Sequence, residues 1–378
     1  MKNMIGKSMI VLFSLLGVTA LSACNNKGKE PALNNYSIHH DDEFGGAYID
    51  ISYDEFNKLG FAFGDSVNIS FSNGVNYEDI GYYSGYYVPA GQELLVGYPS
   101  YEYIKFCINY GEDIYKTNNL TEDTKVNITL NEKEKYKVIE DTLSISYSDD
   151  IATYTSEEQF ANFREIKVGN IKERTLYRGA SPIDNRRKRA STVDKLIKEK
   201  DIQYVLDLAD SRETIDSFYV KEDFASPYFK ELDENGKVLA IGMSASYKSD
   251  DFSNKLKNTL LTMLNSDGPY YIHCLEGKDR TGYVCMIIEA MCGATYEELV
   301  SDYFVTYSNY YDIDKEKDTT KYEMIKSIHI DEMIRYAFDY KKETNLLLAN
   351  YKSTVDNYLL GIGLERNQID SLVKKLVG

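Results

Sequence analysis

Residues 273–282 read HCLEGKDRTG. A short β-rich run at 269–272 precedes them and an apolar helical run at 283–291 follows, so a nucleophile sits on a strand-to-helix turn. A cysteine, five further residues and an arginine leave backbone N–H groups gathered at a helix N-terminus, whose dipole stabilises anions. The same field favours the thiolate form of Cys274, which can then attack phosphorus directly. Arg280 offers a planar fork for two phosphoryl oxygens, a geometry that lysine does not reproduce. Gly277 and Gly282 let backbone approach the anion closely. Thr281, just inside the helix, is placed to hydrogen-bond the sulfur and ease its departure. His273, Leu275 and Glu276 complete the set expected to surround the substrate.

The competing reading is a buried structural cysteine beside a turn. Four required residue types at about one in twenty each give on the order of 10⁻⁵ per start position, which makes coincidence a weak rival. With these residues in place, the chain resembles the cysteine-dependent protein tyrosine phosphatase superfamily. Lys278-Asp279 before Arg280 resembles its bacterial atypical branch, which includes enzymes acting on phosphoserine, phosphothreonine and phosphoinositides. Further landmarks of the resemblance are Asn162-Phe163-Arg164, Leu176-Tyr177-Arg178 with Ser181, Val205-Leu206-Asp207-Leu208 with Arg212-Glu213, and Asp302-Tyr303. The resemblance covers roughly residues 155–378 and leaves residues 1–150 without a counterpart.

Composition narrows the partners. With 43% hydrophobic residues in 378, the chain is globular and long enough for two cores. A net charge of −17 argues against nucleic acid and makes long-range steering unfavourable for a phosphorylated substrate, so attraction has to be local. Lys278, Arg280 and the basic run Arg186-Arg187-Lys188-Arg189 are the visible compensation. Positive charge near a helix start opposes the dipole, so that run reads either as a phosphate-facing rim or as a solvated face paired with carboxylates. Five scattered cysteines and four histidines form neither a disulfide framework nor a metal constellation, and no cofactor is expected.

At the N-terminus, Lys2 and Lys7 precede an apolar run at 9–18, followed by Leu21-Ser22-Ala23-Cys24. This reads as a secretion signal over 1–23, too short for a comfortable membrane span, and the small residues before Cys24 resemble a bacterial lipobox. Lipidation of Cys24 would anchor the mature chain outside the cytoplasm on the cell membrane. A flexible tether is expected over 24–40. Residues 41–150 show short alternating runs at 47–52, 67–71, 93–97, 103–108, 126–130 and 135–139, read as strands of a small β-barrel with two related halves. Its many tyrosines are either good strand formers or a surface for sugars or proteins.

From 151 to 378 helix and strand patterns alternate. Helices are expected at 192–200, 251–265, 296–310, 321–340, 351–360 and 367–376, and strands at 203–208, 238–241 and 270–273. The fold class is therefore α/β: a C-terminal phosphatase-like domain with a mostly parallel sheet flanked by helices, preceded by the barrel. The reading of function is phosphomonoester hydrolysis through a phosphocysteine on a phosphorylated protein, as a tyrosine or dual-specificity phosphatase. A phosphoinositide or inositol phosphate is the alternative substrate, and a phospho-ligand-binding or adhesion module is the non-enzymatic one. The general acid has two candidates. Asp279 lies within the loop, whereas Asp250 and Asp251 lie on the connection that carries the acid in the superfamily's common layout.

Overall fold

Twelve strands form two separate sheets in the structure, a computed structural model that describes residues 30–98 and 101–378. The first seven close into a barrel: β1 (Ala32–His40), β2 (Ala47–Ile49), β3 (Ser66–Phe71), β4 (Asn76–Tyr83), β5 (Glu93–Gly97), β6 (Ile104–Ile108) and β7 (Lys125–Glu132). Their order is β1-β2-β6-β5-β4-β3-β7, with β7 pairing back onto β1. Alternate residues point inward, so Val67, Ile69, Phe106, Val126 and Ile128 fill the interior. The runs Val67-Asn68-Ile69-Ser70-Phe71 and Val126-Asn127-Ile128-Thr129-Leu130, whose likeness suggests the two halves, lie side by side in β3 and β7 and pair antiparallel, Ile69 facing Ile128.

Two local expectations need correction, and one strand was not expected. Residues 32–40, assigned to the tether, are the first barrel strand. Asn35 takes a left-handed φ of 61° and the pairing register shifts between Leu33 and Tyr36, which breaks the alternation that marks a strand. In β4, whose register against β3 shifts between Val67 and Ile69, Asp79 is left-handed at φ 59°, and the run escaped notice for the same reason. The run at 135–139 is not a strand but the entry to the helix Lys137–Leu143. There buried Glu140 accepts from the Ser84 backbone and hydroxyl, and Leu143 joins the larger core three residues on, so a helical period wins over an ambiguous short run.

The second sheet has the order β11-β10-β12-β9-β8, built from β8 (Arg164–Glu165), β9 (Leu176–Gly179), β10 (Tyr204–Asp207), β11 (Val238–Ala240) and β12 (Tyr270–His273). β9, β12, β10 and β11 pair parallel and β8 antiparallel. Both faces are covered, and the side chains sort by parity. Leu176, Leu206 and Ile272 face the larger core, while Tyr177, Val205 and Tyr271 face the helices Ala190–Glu199 and Pro227–Glu234. The helix Asp279–Met291 is buried on every side from Thr281 to Met291, as its uniformly apolar sequence requires. The helix expected over 321–340 is interrupted by a π-helical turn, Lys326–Ile330, between Thr319–Ile325 and Asp331–Phe338. Among the described residues no helix is long and apolar enough to cross a membrane. The leader and Cys24 lie outside them.

Candidate active site

Parallel register places Gly179, Asp207 and His273 side by side at the ends of β9, β10 and β12. The loops that follow therefore converge on one edge, where open α/β sheets bind ligands. The loop after β12 runs from Cys274 to Lys278 and enters the helix Asp279–Met291.

Its backbone is held from outside. The Leu275 carbonyl accepts from the Ser181 N–H at 3.0 Å. The Glu276 carbonyl accepts from Asn162 Nδ2 at 3.2 Å and from the Tyr310 hydroxyl at 2.7 Å. The Gly277 carbonyl accepts from Asn162 Nδ2 at 3.3 Å and Arg178 Nη2 at 3.1 Å. In a trans peptide the N–H points opposite to the C=O, so pulling three carbonyls outward turns the N–H groups of Glu276, Gly277 and Lys278 inward. None of the three has an acceptor among the described residues. Inward N–H groups at a helix N-terminus make an anion cradle. Gly277 is obligatory here: its φ is 66°, and a Cβ would lie 2.1 Å from the Gly179 carbonyl oxygen.

The outward donors are themselves locked. Arg178 Nη1 donates to Asp302 Oδ2 at 2.6 Å and Arg164 Nε to Oδ1 at 3.0 Å. Burial pushes the Asp302 carboxyl up, but the two guanidiniums outweigh it and hold it well below the carboxylate range. Burial, reinforced by Asp302, raises Glu289 far above its ordinary value, so it stands as a neutral acid in the cluster. Asn162 adopts a left-handed φ of 49°, which asparagine tolerates, and its Oδ1 accepts from Arg164 and Asn309. Residues that were separate landmarks of the sequence thus form one clamp around the loop. Arg212 and Glu213 do not join it; they sit on an exposed helix face, where Arg212 pairs with Asp216 and Asp233.

Cys274 is 4% exposed at the start of the loop. Arg280 Nη1 donates to the Met243 carbonyl at 3.0 Å, while its Nε and Nη2 have no acceptor among the described residues. Burial opposes the charge on Lys278, yet adjacent Asp279 keeps its ammonium protonated, and it lies over the rings of Tyr307 and Tyr311 at 5.8 and 5.9 Å. Thr281 is buried with its hydroxyl unpartnered among the described residues. Glu276 turns sideways, accepting from Tyr147 and pairing with Arg187.

Two of the expected substrate contacts are placed elsewhere. His273 is fully buried on the same sheet face as Tyr271, two residues before it, with Nδ1 3.3 Å from the Cys274 carbonyl; burial lowers it to about 4. Gly282 packs against Tyr303, whose ring a Cβ would meet at 2.5 Å.

Asp250 and Asp251 form the exposed first turn of the helix Asp250–Asn265, capped by Ser249, with Asp251 paired to Lys255. That position suits carboxylates through the dipole alone, and neither residue lines the cleft at the loop. Asp279 does line it, with Oδ1 accepting from the Tyr110 hydroxyl of the barrel at 2.5 Å. A third carboxyl went unremarked in the sequence. Asp210, on the loop after β10, has Oδ2 buried without a partner among the described residues; burial, then neighbouring Asp207, raises it to about 8. Burial raises Asp207 to about 7. The only signal was two aspartates three residues apart after a buried strand.

The loop opens into a cleft of about 830 Å³, walled on one side by Glu276, Lys278, Asp279 and Arg280 and on the other by the barrel. The three arginines of the basic run are paired, and only Lys188 stands exposed without an ion pair among the described residues. Arg189 is buried against Asp149 and the ring of Phe160, Arg186 pairs with Asp184, and Arg187, which reaches the cleft, pairs with Asp149 and Glu276. Among the described residues no group of histidine, cysteine and carboxylate side chains is arranged to hold a metal ion.

A family model described as "Tyrosine phosphatase family" matches residues 156–378, more than half of the chain. No curated protein matches. Among solved structures, the core catalytic domain of the PP-IP phosphatase SIW14 from S. cerevisiae, in complex with citrate, is 22% identical over 47% of this chain and 90% of its own, with a TM-score of 0.27. A second structure of the Siw14 catalytic core is 18% identical over 48% and 94%, TM-score 0.26. An uncharacterized conserved protein from Thermotoga maritima is 19% identical over 27% of this chain and 37% of its own, TM-score 0.23. Likenesses of this size carry no inference about substrate.

Proposed function

Because this chain belongs to the tyrosine phosphatase family and is a cysteine-based phosphatase, we propose that it hydrolyses phosphotyrosine in proteins, with Cys274 as nucleophile and Arg280 as phosphate clamp. The observation that carries this reading is the loop whose carbonyls are drawn outward by Ser181, Asn162, Arg178 and Tyr310, leaving its N–H groups around the cysteine. Cys274 Sγ attacks phosphorus in line; the S–P bond forms as the P–O bond to the leaving group breaks. Arg280 Nε and Nη2 and the loop amides hold the equatorial oxygens, where charge spreads in the transition state. A carboxylic acid protonates the departing oxygen. Water then attacks the phosphocysteine, giving its proton to the carboxylate left by the first step, as the P–S bond breaks to release phosphate and restore the thiolate.

Asp279 remains the first candidate for the acid because it lines the cleft. Asp210, which does not line the cleft but feels the charge of Arg280, is the second, since a carboxyl raised to about 8 by burial and Asp207 is protonated at neutral pH, as an acid must be. Lys278, a second fixed cation in the loop, favours an inositol phosphate as the alternative substrate. Turnover of a phosphotyrosyl peptide, a phosphoinositide and inositol hexakisphosphate by one purified sample separates these readings; kcat/KM highest for either lipid or inositol ester would sink the protein substrate. We further infer that Cys24 carries a lipid anchor holding the enzyme outside the cytoplasm, a reading supported by Leu21-Ser22-Ala23 before it.

A further inference from the structure

The family match begins at residue 156, so nothing in it accounts for the barrel, yet the barrel builds one wall of the cleft. At about 830 Å³ that cleft lies towards the upper end of the roughly 300–1,000 Å³ typical of ligand sites, room for more than the phosphorylated side chain. The far wall is aromatic. Phe44, Tyr101 and Tyr103 are 53%, 53% and 37% exposed, and all three line this cleft. No other aromatic residue among the described residues is as exposed. Tyr103 is braced edge-on by the His39 ring at 4.6 Å and packs on Tyr48 at 5.7 Å, so the platform is held before any substrate arrives.

The charges decide what such a platform accepts. Lys105 is neutralised by Asp41 at 2.5 Å and lies over the Phe44 and Tyr48 rings. Arg187 is shared between Asp149 and Glu276, each at 3.4 Å. The unspent positive charge of the cleft is therefore confined to Lys278 and Arg280 at the loop, opposed by Asp279. One phosphoryl group meets a complementary site there. A second phosphate, or an acidic side chain laid along the barrel wall, would be desolvated against phenol rings and already-paired cations on a chain of net charge −17.

We propose that the barrel is the specificity wall of the enzyme, its Phe44, Tyr48, Tyr101 and Tyr103 face receiving the uncharged, aromatic residues that flank a single phosphotyrosine. The proposal rests on the reading of the loop as a phosphotyrosine-hydrolysing site. Aromatic side chains bury large area at small entropic cost and stack on tyrosine, which is why such faces dominate peptide recognition.

The test uses the full chain and three peptides sharing one phosphotyrosine, flanked by Phe and Tyr, by Gly and Ser, or by Asp and Glu, with p-nitrophenyl phosphate and inositol hexakisphosphate alongside. The aromatic-flanked peptide should exceed the acidic one in kcat/KM by at least ~10-fold, mainly through KM, and the double substitution Tyr101→Ser, Tyr103→Ser should bring that ratio within about threefold. Both side chains are more than a third exposed, so the fold should survive; thermal unfolding checks this, and Phe44→Ser provides an independent variant expected to lower the same ratio. Equal turnover of aromatic and acidic peptides, a ratio that persists in both variants, or preference for inositol hexakisphosphate would each overturn the proposal. If neither p-nitrophenyl phosphate nor any peptide is turned over, the reading of the loop falls and takes this inference with it. Turnover without flank dependence overturns the inference alone.

Discussion

At the scale of single residues, the chemistry rests on a few atoms whose replacement has a calculable consequence. Cys274→Ser should abolish turnover while phosphate still binds, because the amide cradle and Arg280 are untouched. Arg280→Lys should cost at least ~10²-fold in kcat, since Nε and Nη2 act as a planar pair that an ammonium does not replace. A Cys274→Ser enzyme with residual steady-state turnover would rule out the phosphocysteine. The acid is identified by leaving group. Loss of the true acid slows a poor alkyl leaving group far more than a good aryl one, so Asp279→Asn and Asp210→Asn are compared on an alkyl and an aryl phosphate. Asp279→Asn is expected to show the larger alkyl-specific loss; equal slowing on both esters assigns it to positioning, a role consistent with its Tyr110 partner, and moves the acid to Asp210. Cys285 and Cys292 lie on and beyond the helix leaving the loop, both buried, with burial raising Cys285 well above the thiol range and Cys292 to about 12. Neither is a ready resolving thiol. Peroxide should inactivate the enzyme reversibly, and mass mapping should find no bridge from either to Cys274.

At the scale of elements, loop shape is made by neighbours rather than by the loop. Gly277→Ala forces a Cβ to within 2.1 Å of the Gly179 carbonyl, so the loop Cys274 to Lys278 or β9 has to move; activity should fall by at least ~10²-fold even where the variant remains folded by circular dichroism. The loop after β10 carries a pH dependence of its own. An aspartate in the unfolded chain titrates near ~3.9. Burial, and for Asp210 also Asp207, raises the folded values to about 7 and about 8, so the native state keeps protons that the unfolded chain has released. Stability contributed by these groups is therefore greatest at low pH and declines as pH rises from about 4 to about 8. Asp210→Asn removes the titration and should flatten that decline, so that the variant gains on the parent in Tm between pH 5 and pH 9. An unchanged difference in Tm across that window would contradict a neutral Asp210.

At the scale of the whole molecule, barrel and phosphatase core meet at the cleft beside the loop. The Tyr110 hydroxyl reaches Asp279, its ring stacks on Tyr247 at 5.0 Å, and its carbonyl accepts from Tyr336. The barrel thus lines the cleft beside the loop rather than standing apart from it. Anchoring belongs to the same scale. Cys24→Ala should shift the protein from the membrane fraction to the medium or leave its leader unprocessed, and equal retention after a carbonate wash would sink the lipid anchor.

What the amino-acid sequence determined by itself was the strand-to-helix turn that carries the candidate loop and the periodic elements around it. A cysteine, glycine and arginine at fixed spacing are local requirements of phosphate chemistry, and β12 and the helix Asp250–Asn265 are long or apolar enough for their period to be read directly. The first barrel strand and β4 escaped because a left-handed residue interrupts each alternation. Only the tertiary structure decided the clamp on the loop, the pairing of the basic run, the retreat of Asp250 and Asp251 to an exposed helix end, the neutral state proposed for Asp210 and the aromatic wall supplied by the barrel. The reason is common to all five: hydrogen bonding, ion pairing and desolvation depend on which groups from distant parts of the chain meet, as Arg178 meets Gly277 and Tyr110 meets Asp279, and no local pattern records those meetings.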